Sequence, residues 1–281
     1  MNDENFILSA SGVRMPRLIY GTAWKKERTA ALVAQAIELG FRGIDTAGQP
    51  KHYDEAGVGR GLSAALQRGL RREDLYLQSK FTPMGGQDPL RVPYDPHASL
   101  KEQVAQSFQS SLANLQTTYL DGLVLHSPLP DREQMEEVWQ SMEQIFDQGG
   151  ARQLGISNCY DLWWLEYLYR MARVKPAVLQ NRFYADTGYD RAIRDFCRQN
   201  RIQYQSFWTL TANPRILAHP VMRTLMEQYN RTAAQLFFRY LSQVDIIPLT
   251  GTTSAAHMAE DLAIFNFALT DDACAALGAL L

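Results

Sequence analysis

Cysteine is scarce in this 281-residue chain. Cys159, Cys197 and Cys274 are an odd number and contain no Cys-x-x-Cys pair, so a disulfide framework and a zinc cluster are both excluded as organising devices. They read as small buried side chains. Long apolar runs are missing too: stretches such as Ala275 to Leu281 fall far below the roughly 18 residues of a membrane span. The opening Met-Asn-Asp-Glu-Asn has no basic-then-apolar leader pattern, so a cytoplasmic protein is expected. Nor does charge of one sign prevail. With 28 Lys plus Arg against 30 Asp plus Glu, the formal charge is −2, which leaves no overall field to draw in nucleic acid or an anionic membrane. No linker interrupts the chain, so residues 1–281 are expected to form a single domain.

What is present is ordinary globular composition, 46% hydrophobic and 21% charged, arranged as short apolar runs separated by longer amphipathic segments. The runs are Leu18 to Gly21, Arg42 to Asp45, Leu75 to Gln78, Leu120 to Leu125, Gln153 to Ile156, Ala177 to Gln180, Gln203 to Phe207 and Asp245 to Leu249. Segments of helical periodicity lie between them. In Thr29 to Leu39, Ala30, Val33, Ala34, Ile37 and Leu39 recur at three and four, and Gly40 supplies the stop. Eight strand–helix alternations in this length predict a (β/α)8 TIM barrel rather than an open doubly wound sheet. No Gly-x-Gly-x-x-Gly follows an early strand, which weakens the open-sheet alternative further. Ahead of the first run, Phe6 to Leu8 and Val13 to Met15 flank Ser9-Ala-Ser-Gly12, the pattern of a β-hairpin that plugs the barrel's N-terminal mouth.

Catalytic groups of such barrels come from the C-terminal ends of different strands. Here Asp45 ends the second run, Lys80 follows the third, His126 the fourth, Ser157 and Asn158 the fifth, Gln180 ends the sixth and Phe207 the seventh. Taken singly, Asp45 reads as a helix cap, Lys80 as a loop charge and His126 as a hydrogen-bonded core residue. Delivered together to one mouth they are harder to dismiss, because an ionisable group at a buried strand end is costly unless paired. Asp45 and Lys80 are expected to pair. Tyr53 lies eight residues after Asp45. A nearby ammonium would lower its phenol from about 10 toward working pH and make it a general acid for a carbonyl oxygen that His126 holds by a hydrogen bond. This kit lacks a nucleophile, so its natural complement is hydride from a reduced nicotinamide.

At these residues the sequence resembles the aldo-keto reductase superfamily. The pieces stand in order: Gly43-Ile-Asp-Thr-Ala47, Tyr53-Asp-Glu55 with Val58-Gly59, Gln78-Ser-Lys80, Leu123-Val-Leu-His126, Gly155-Ile-Ser-Asn158 and Gln180-Asn181. The resemblance implies a (β/α)8 barrel that reduces aldehydes and ketones with NADPH, its tetrad mapping to Asp45, Tyr53, Lys80 and His126. It also implies that Thr22 and Asp45 lie near the cofactor, that Ser157, Asn158 and Gln180 hold the carboxamide, and that Phe207, beside Trp208, stacks on the nicotinamide. Leu249, Thr250, Gly251, Thr252, Thr253, His257 and Asp261 would line the phosphate and adenosine end. A small-molecule carbonyl substrate and a monomer or weak homodimer are the implied partners; a redox-neutral or regulatory protein on the same fold is the alternative.

Three departures from the family pattern matter. The loop Gly48-Gln-Pro-Lys-His52 lengthens the Asp-to-Tyr spacing, in a form often met in fungi, and leaves His52 as a second candidate donor beside Tyr53. Leu249 and His257 stand where a Lys and an Arg are usual, so phosphate binding falls to the hydroxyls of Thr250, Thr252, Thr253 and Ser254 and the following helix N-terminus, and NADH is not excluded. Finally, with the chain stopping at Leu281, an open pocket is expected, walled by Trp24, Trp208 to Ala212 and a lid from Thr82 to Pro96. Arg68 to Arg72 reads as a solvated charged face.

Overall fold

A computed structural model describes residues 5–281. Two short strands, β1 (Phe6–Leu8) and β2 (Arg14–Pro16), form the expected antiparallel hairpin, with Ile7 opposite Met15. The remaining strands are β3 (Ile19–Gly21), β4 (Gly43–Asp45), β5 (Tyr76–Phe81), β6 (Gly122–Leu125), β7 (Leu154–Ser157), β8 (Val178–Arg182), β9 (Gln203–Phe207) and β10 (Ile246–Thr250). They pair in parallel, each with the next, and β10 returns to β3 to close the barrel.

The crossovers are helical: α1 (Thr29–Leu39), α2 (Glu55–Gln67), α3 (Leu100–Leu115), α4 (Arg132–Asp147), α5 (Leu162–Met171) and α6 (Arg191–Gln199). Then come α7 (Pro214–Leu217), α8 (Pro220–Tyr229), α9 (Ala233–Gln243), α10 (Ala255–Leu262) and α11 (Asp271–Gly278). Their ends follow local chemistry. Ser99 and Glu102 make a reciprocal capping box on α3, and Thr232 and Gln235 do the same on α9. Gly40, at φ 124°, terminates α1 where a residue with a Cβ would be strained. Among the described residues no helix is long and apolar enough to cross a membrane.

The main core lies between barrel and helices, with Trp139, Phe237 and Phe238 among its largest buried side chains. A smaller cluster of Val13, Met15, Ile19, Tyr76, Val178 and Ile247 seals the N-terminal end, so the hairpin does act as a plug. Above it the barrel interior is polar. The Met15 sulfur meets Gln205 Nε2 at 3.3 Å, Tyr76 Oη donates to Gln78 Oε1 at 2.6 Å, and Gln78 Nε2 donates to Gln205 Oε1 at 2.9 Å. Arg72 corrects one expectation: far from being solvated, it pairs with buried Asp121 at 2.8 Å and donates to the carbonyls of Leu75 and Tyr119, tying β5 to β6.

Candidate active site

Strand ends deliver the ionisable groups to the C-terminal mouth. Lys80 Nζ lies 2.6 Å from Asp45 Oδ2 and 2.8 Å from the Thr46 carbonyl, with both side chains of the pair fully enclosed. The other carboxylate oxygen of Asp45 accepts from Gln78 Nε2 at 2.7 Å and Gln180 Nε2 at 2.9 Å. These added bonds offset the desolvation of a buried pair, which attraction alone barely covers. Burial nonetheless pulls the Lys80 ammonium below its ordinary pKa, against the opposing pull of Asp45.

Tyr53 reaches this pair through the longer loop. His52 and Tyr53 backbone N–H groups both donate to the Gln49 carbonyl at 3.0 Å, forming a turn that sets the tyrosine ring 5.2 Å from Lys80 Nζ and 6.1 Å from the His126 ring. The expected lowering of the Tyr53 phenol is overturned. Burial, reinforced by the charge of Asp45, holds it well above its ordinary value. His126 bonds through Nδ1 to Thr82 Oγ1 at 2.7 Å. Burial and the Lys80 and His52 charges push its pKa well below the usual imidazole range, so the ring is neutral.

His52 sits elsewhere. Its ring packs on Trp24 with centroids 4.1 Å apart, and Nδ1 lies 2.9 Å from Gln49 Oε1, so it belongs to the wall while Tyr53 joins the lysine and the second histidine.

Asp45, Tyr53, His126, Gln180 and His52 open into one cavity of about 1020 Å³, with Lys80 enclosed behind its wall. Trp24 and Trp208 line it and stay half-exposed, at 57% and 48%, which identifies them as walls rather than core. Trp24, Asn158 and Trp208 all have left-handed backbones, with φ 63°, 52° and 55°. Phe207 and Gln180 line the cavity. Ser157 and Asn158 do too, although part of their capacity is used: Ser157 Oγ donates to the Gln180 carbonyl at 2.7 Å and Asn158 Nδ2 to the His126 carbonyl at 2.8 Å.

Four expectations need correction. Thr22 is buried behind the cavity, and its hydroxyl donates to the Asp45 carbonyl at 2.9 Å, so it braces the strand end and does not line the site. Thr253 is exposed outside the cavity lining, whereas Leu249, Thr250, Gly251, Thr252, His257 and Asp261 all line it. Two of the hydroxyls assigned to phosphate are committed: Thr250 Oγ1 donates to Asp261 Oδ2 at 2.7 Å, and Ser254 Oγ caps α10. Of the segment from Thr82 to Pro96, only Thr82 and Gly86 line the cavity; Gln87 pins the rest back through the Gly48 and Thr82 carbonyls, as does Tyr94 through Thr82.

Two residues, Gln205 and Lys25, escaped the sequence analysis, and Thr82 entered it only as the start of a lid. Gln205 is buried mid-strand, so it marks no strand end. Lys25 was visible as a cation beside Trp24. It lines the cavity, and its Nζ donates to the Gly251 carbonyl, which puts a positive charge against the loop that lacks the usual Lys and Arg.

The model of the aldo/keto reductase family matches residues 17–281. The chain is 30% identical to an uncharacterised oxidoreductase, YtbE, of Bacillus subtilis, over 93% of this chain and 88% of that protein. It is 28% identical to the glyoxal reductase of the same organism, over 93% and 87%. A solved structure of an aldo/keto reductase from Brucella melitensis superposes with a TM-score of 0.84 at 24% identity, covering 98% of this chain and 99% of the other.

Proposed function

The chain belongs to the aldo/keto reductase family, and from that premise we propose that it reduces an aldehyde or ketone to an alcohol with NADPH, or less favourably NADH, as cofactor. The observation that carries the reading is the meeting of Tyr53, Lys80, Asp45 and His126 at one end of the cavity. The dinucleotide, when bound, supplies hydride. The residues present suit it. The cavity exceeds the usual ~300–1,000 Å³ of ligand sites, Phe207 offers a ring, Ser157, Asn158 and Gln180 offer amide partners, and Lys25, Thr252 and the start of α10 offer a cation and donors for phosphate.

Tyr53 then gives its proton to the carbonyl oxygen. Burial keeps that proton on the phenol until an oxygen gathering negative charge takes it, and the Lys80 ammonium beside the ring stabilises the phenolate left behind. Asp45 and its two amide donors keep Lys80 in place. In the tautomer whose Nδ1 accepts from Thr82, His126 presents Nε2–H to the same carbonyl oxygen and fixes it. Trp24 and Trp208 narrow the mouth against water.

The test is a fluorescence titration of the protein with NADPH and NADH, followed by loss of reduced-nicotinamide absorbance with a panel of aldehydes. Tyr53→Phe is expected to lower turnover by ~10²–10⁴-fold while leaving nucleotide affinity unchanged, and His52→Asn to keep most of it. Full turnover by Tyr53→Phe, or no aldehyde-dependent oxidation by the unaltered protein, would overturn the reading.

A further inference from the structure

Arg182 is a cation in the cavity wall that the proposed chemistry does not use. It ends β8, two residues beyond Gln180, so strand alternation turns both side chains toward the mouth, and both line the cavity. Its guanidinium carbon lies 4.2 Å from the Trp208 ring centroid and 5.4 Å from that of Tyr184. Aromatic contacts hold a guanidinium by its faces and leave the edge, where the N–H donors lie, unused. The position is firm at the backbone as well, where Arg182 N–H donates to Tyr160 Oη at 3.0 Å and Tyr160 in turn donates to Asn158.

Its partners are missing. Among the described residues no carboxylate pairs with Arg182, and its Nε is buried without a hydrogen-bond partner. Of the three acidic residues that line the cavity, Asp45 is committed to Lys80 and two glutamines and Asp261 to Thr250, while Glu260, on α10, makes no ion pair with Arg182. A buried donor left unpaired is costly, and a cation held by its faces is arranged for a planar oxyanion that can accept two parallel N–H bonds. We propose that Arg182 is an anion-recognition residue of this cavity, taking a carboxylate or phosphate oxygen pair carried by the ligand. Two sources share that chemistry: an acidic group on the carbonyl substrate and a phosphate of the dinucleotide. The substrate arm rests on the reductase reading; the anion site itself does not.

The experiment compares the unaltered protein with R182Q and R182K, using 4-carboxybenzaldehyde and the neutral 4-nitrobenzaldehyde as substrates, with NADPH affinity read separately by fluorescence. If the substrate carries the anion, R182Q raises KM for the carboxylate by ~10-fold or more and leaves kcat and the neutral aldehyde nearly unchanged, and R182K recovers most of the loss. If the dinucleotide supplies it, R182Q weakens NADPH binding by a similar factor and the ratio of the two aldehydes stays constant. Either pattern supports the anion site. Equal behaviour of R182Q and the unaltered protein in both arms overturns it. Benzoate and pyrophosphate, titrated against tryptophan fluorescence without turnover, read the same site if no aldehyde is reduced: tighter binding by the unaltered protein than by R182Q sustains the proposal even as the reductase reading falls.

Discussion

Asp45 accepts from Lys80, Gln78 and Gln180, so its carboxylate holds the ammonium at a fixed point instead of merely balancing its charge. Asp45→Asn leaves an unpaired buried ammonium and removes what positions it. Turnover is expected to fall by ~10²-fold or more with little change in nucleotide affinity, a split that parallel kinetic and fluorescence titrations would display. His126 makes a prediction about stability. Its folded pKa is depressed, so the unfolded chain binds a proton that the folded one refuses, and stability is full above the unfolded value near 6.5 and declines as pH falls below it. Urea midpoints should drop between pH 7 and pH 5, and His126→Asn should flatten part of that slope; an unchanged slope would remove the neutral buried imidazole from the account. Asp45, Lys80 and His126 were legible in the sequence because each stands at or just beyond the end of an apolar run, and Tyr53 because it follows Asp45 in the loop ahead of the next helix. The direction of the Tyr53 pKa was not, since it depends first on how completely the folded barrel buries the ring and then on the charge of Asp45 beside it.

At the scale of the elements, close approach matters more than propensity. A Cβ on Gly59 would lie 2.1 Å from the Asn114 carbonyl oxygen, so α2 and α3 meet backbone to backbone at that residue. Gly59→Ala is expected to separate the helices and destabilise the fold by about 1–3 kcal/mol, measurable as a lower urea midpoint. The residue was visible in the sequence as part of a family signature, but the reason for it lies in α3, fifty-odd positions away. The β10–α10 loop offers a second test. Burial raises Asp261 to about 6, so its charge is lost as pH falls through that value. If phosphate binds against this loop, NADPH affinity should tighten from pH 7 to pH 5, and Asp261→Asn should bind tightly throughout. Which hydroxyls remained for phosphate could not be read beforehand, because Ser254 and Thr250 are the right residue types and only their partners reveal that they are occupied.

Over the whole molecule, ring closure was legible from the count of alternations, whereas the polar interior was not: a glutamine inside a strand reads as a solvent-facing position until the barrel curves around it. Closure also concentrates stability in a few ties. Asp121 accepts from Arg72 and Arg152 and from the Leu77 backbone N–H at 2.9 Å, joining adjacent strands below the site. Asp121→Ala strands the largely enclosed Arg72 guanidinium and a strand N–H, so a loss of about 3 kcal/mol and a single, earlier thermal transition are expected by calorimetry. An unfolding curve that instead split in two would show that the barrel does not melt as one unit.

The left-handed backbones at Trp24 and Trp208 have a practical consequence. Bulky side chains there are held in a conformation that costs about 1 kcal/mol or more and that glycine adopts freely. In most enzymes, hollowing out an entrance weakens the scaffold. Here the two pull the same way, so a selection for bulkier substrates that draws on glycine at these two positions can widen the doorway and relieve its backbone strain in one step.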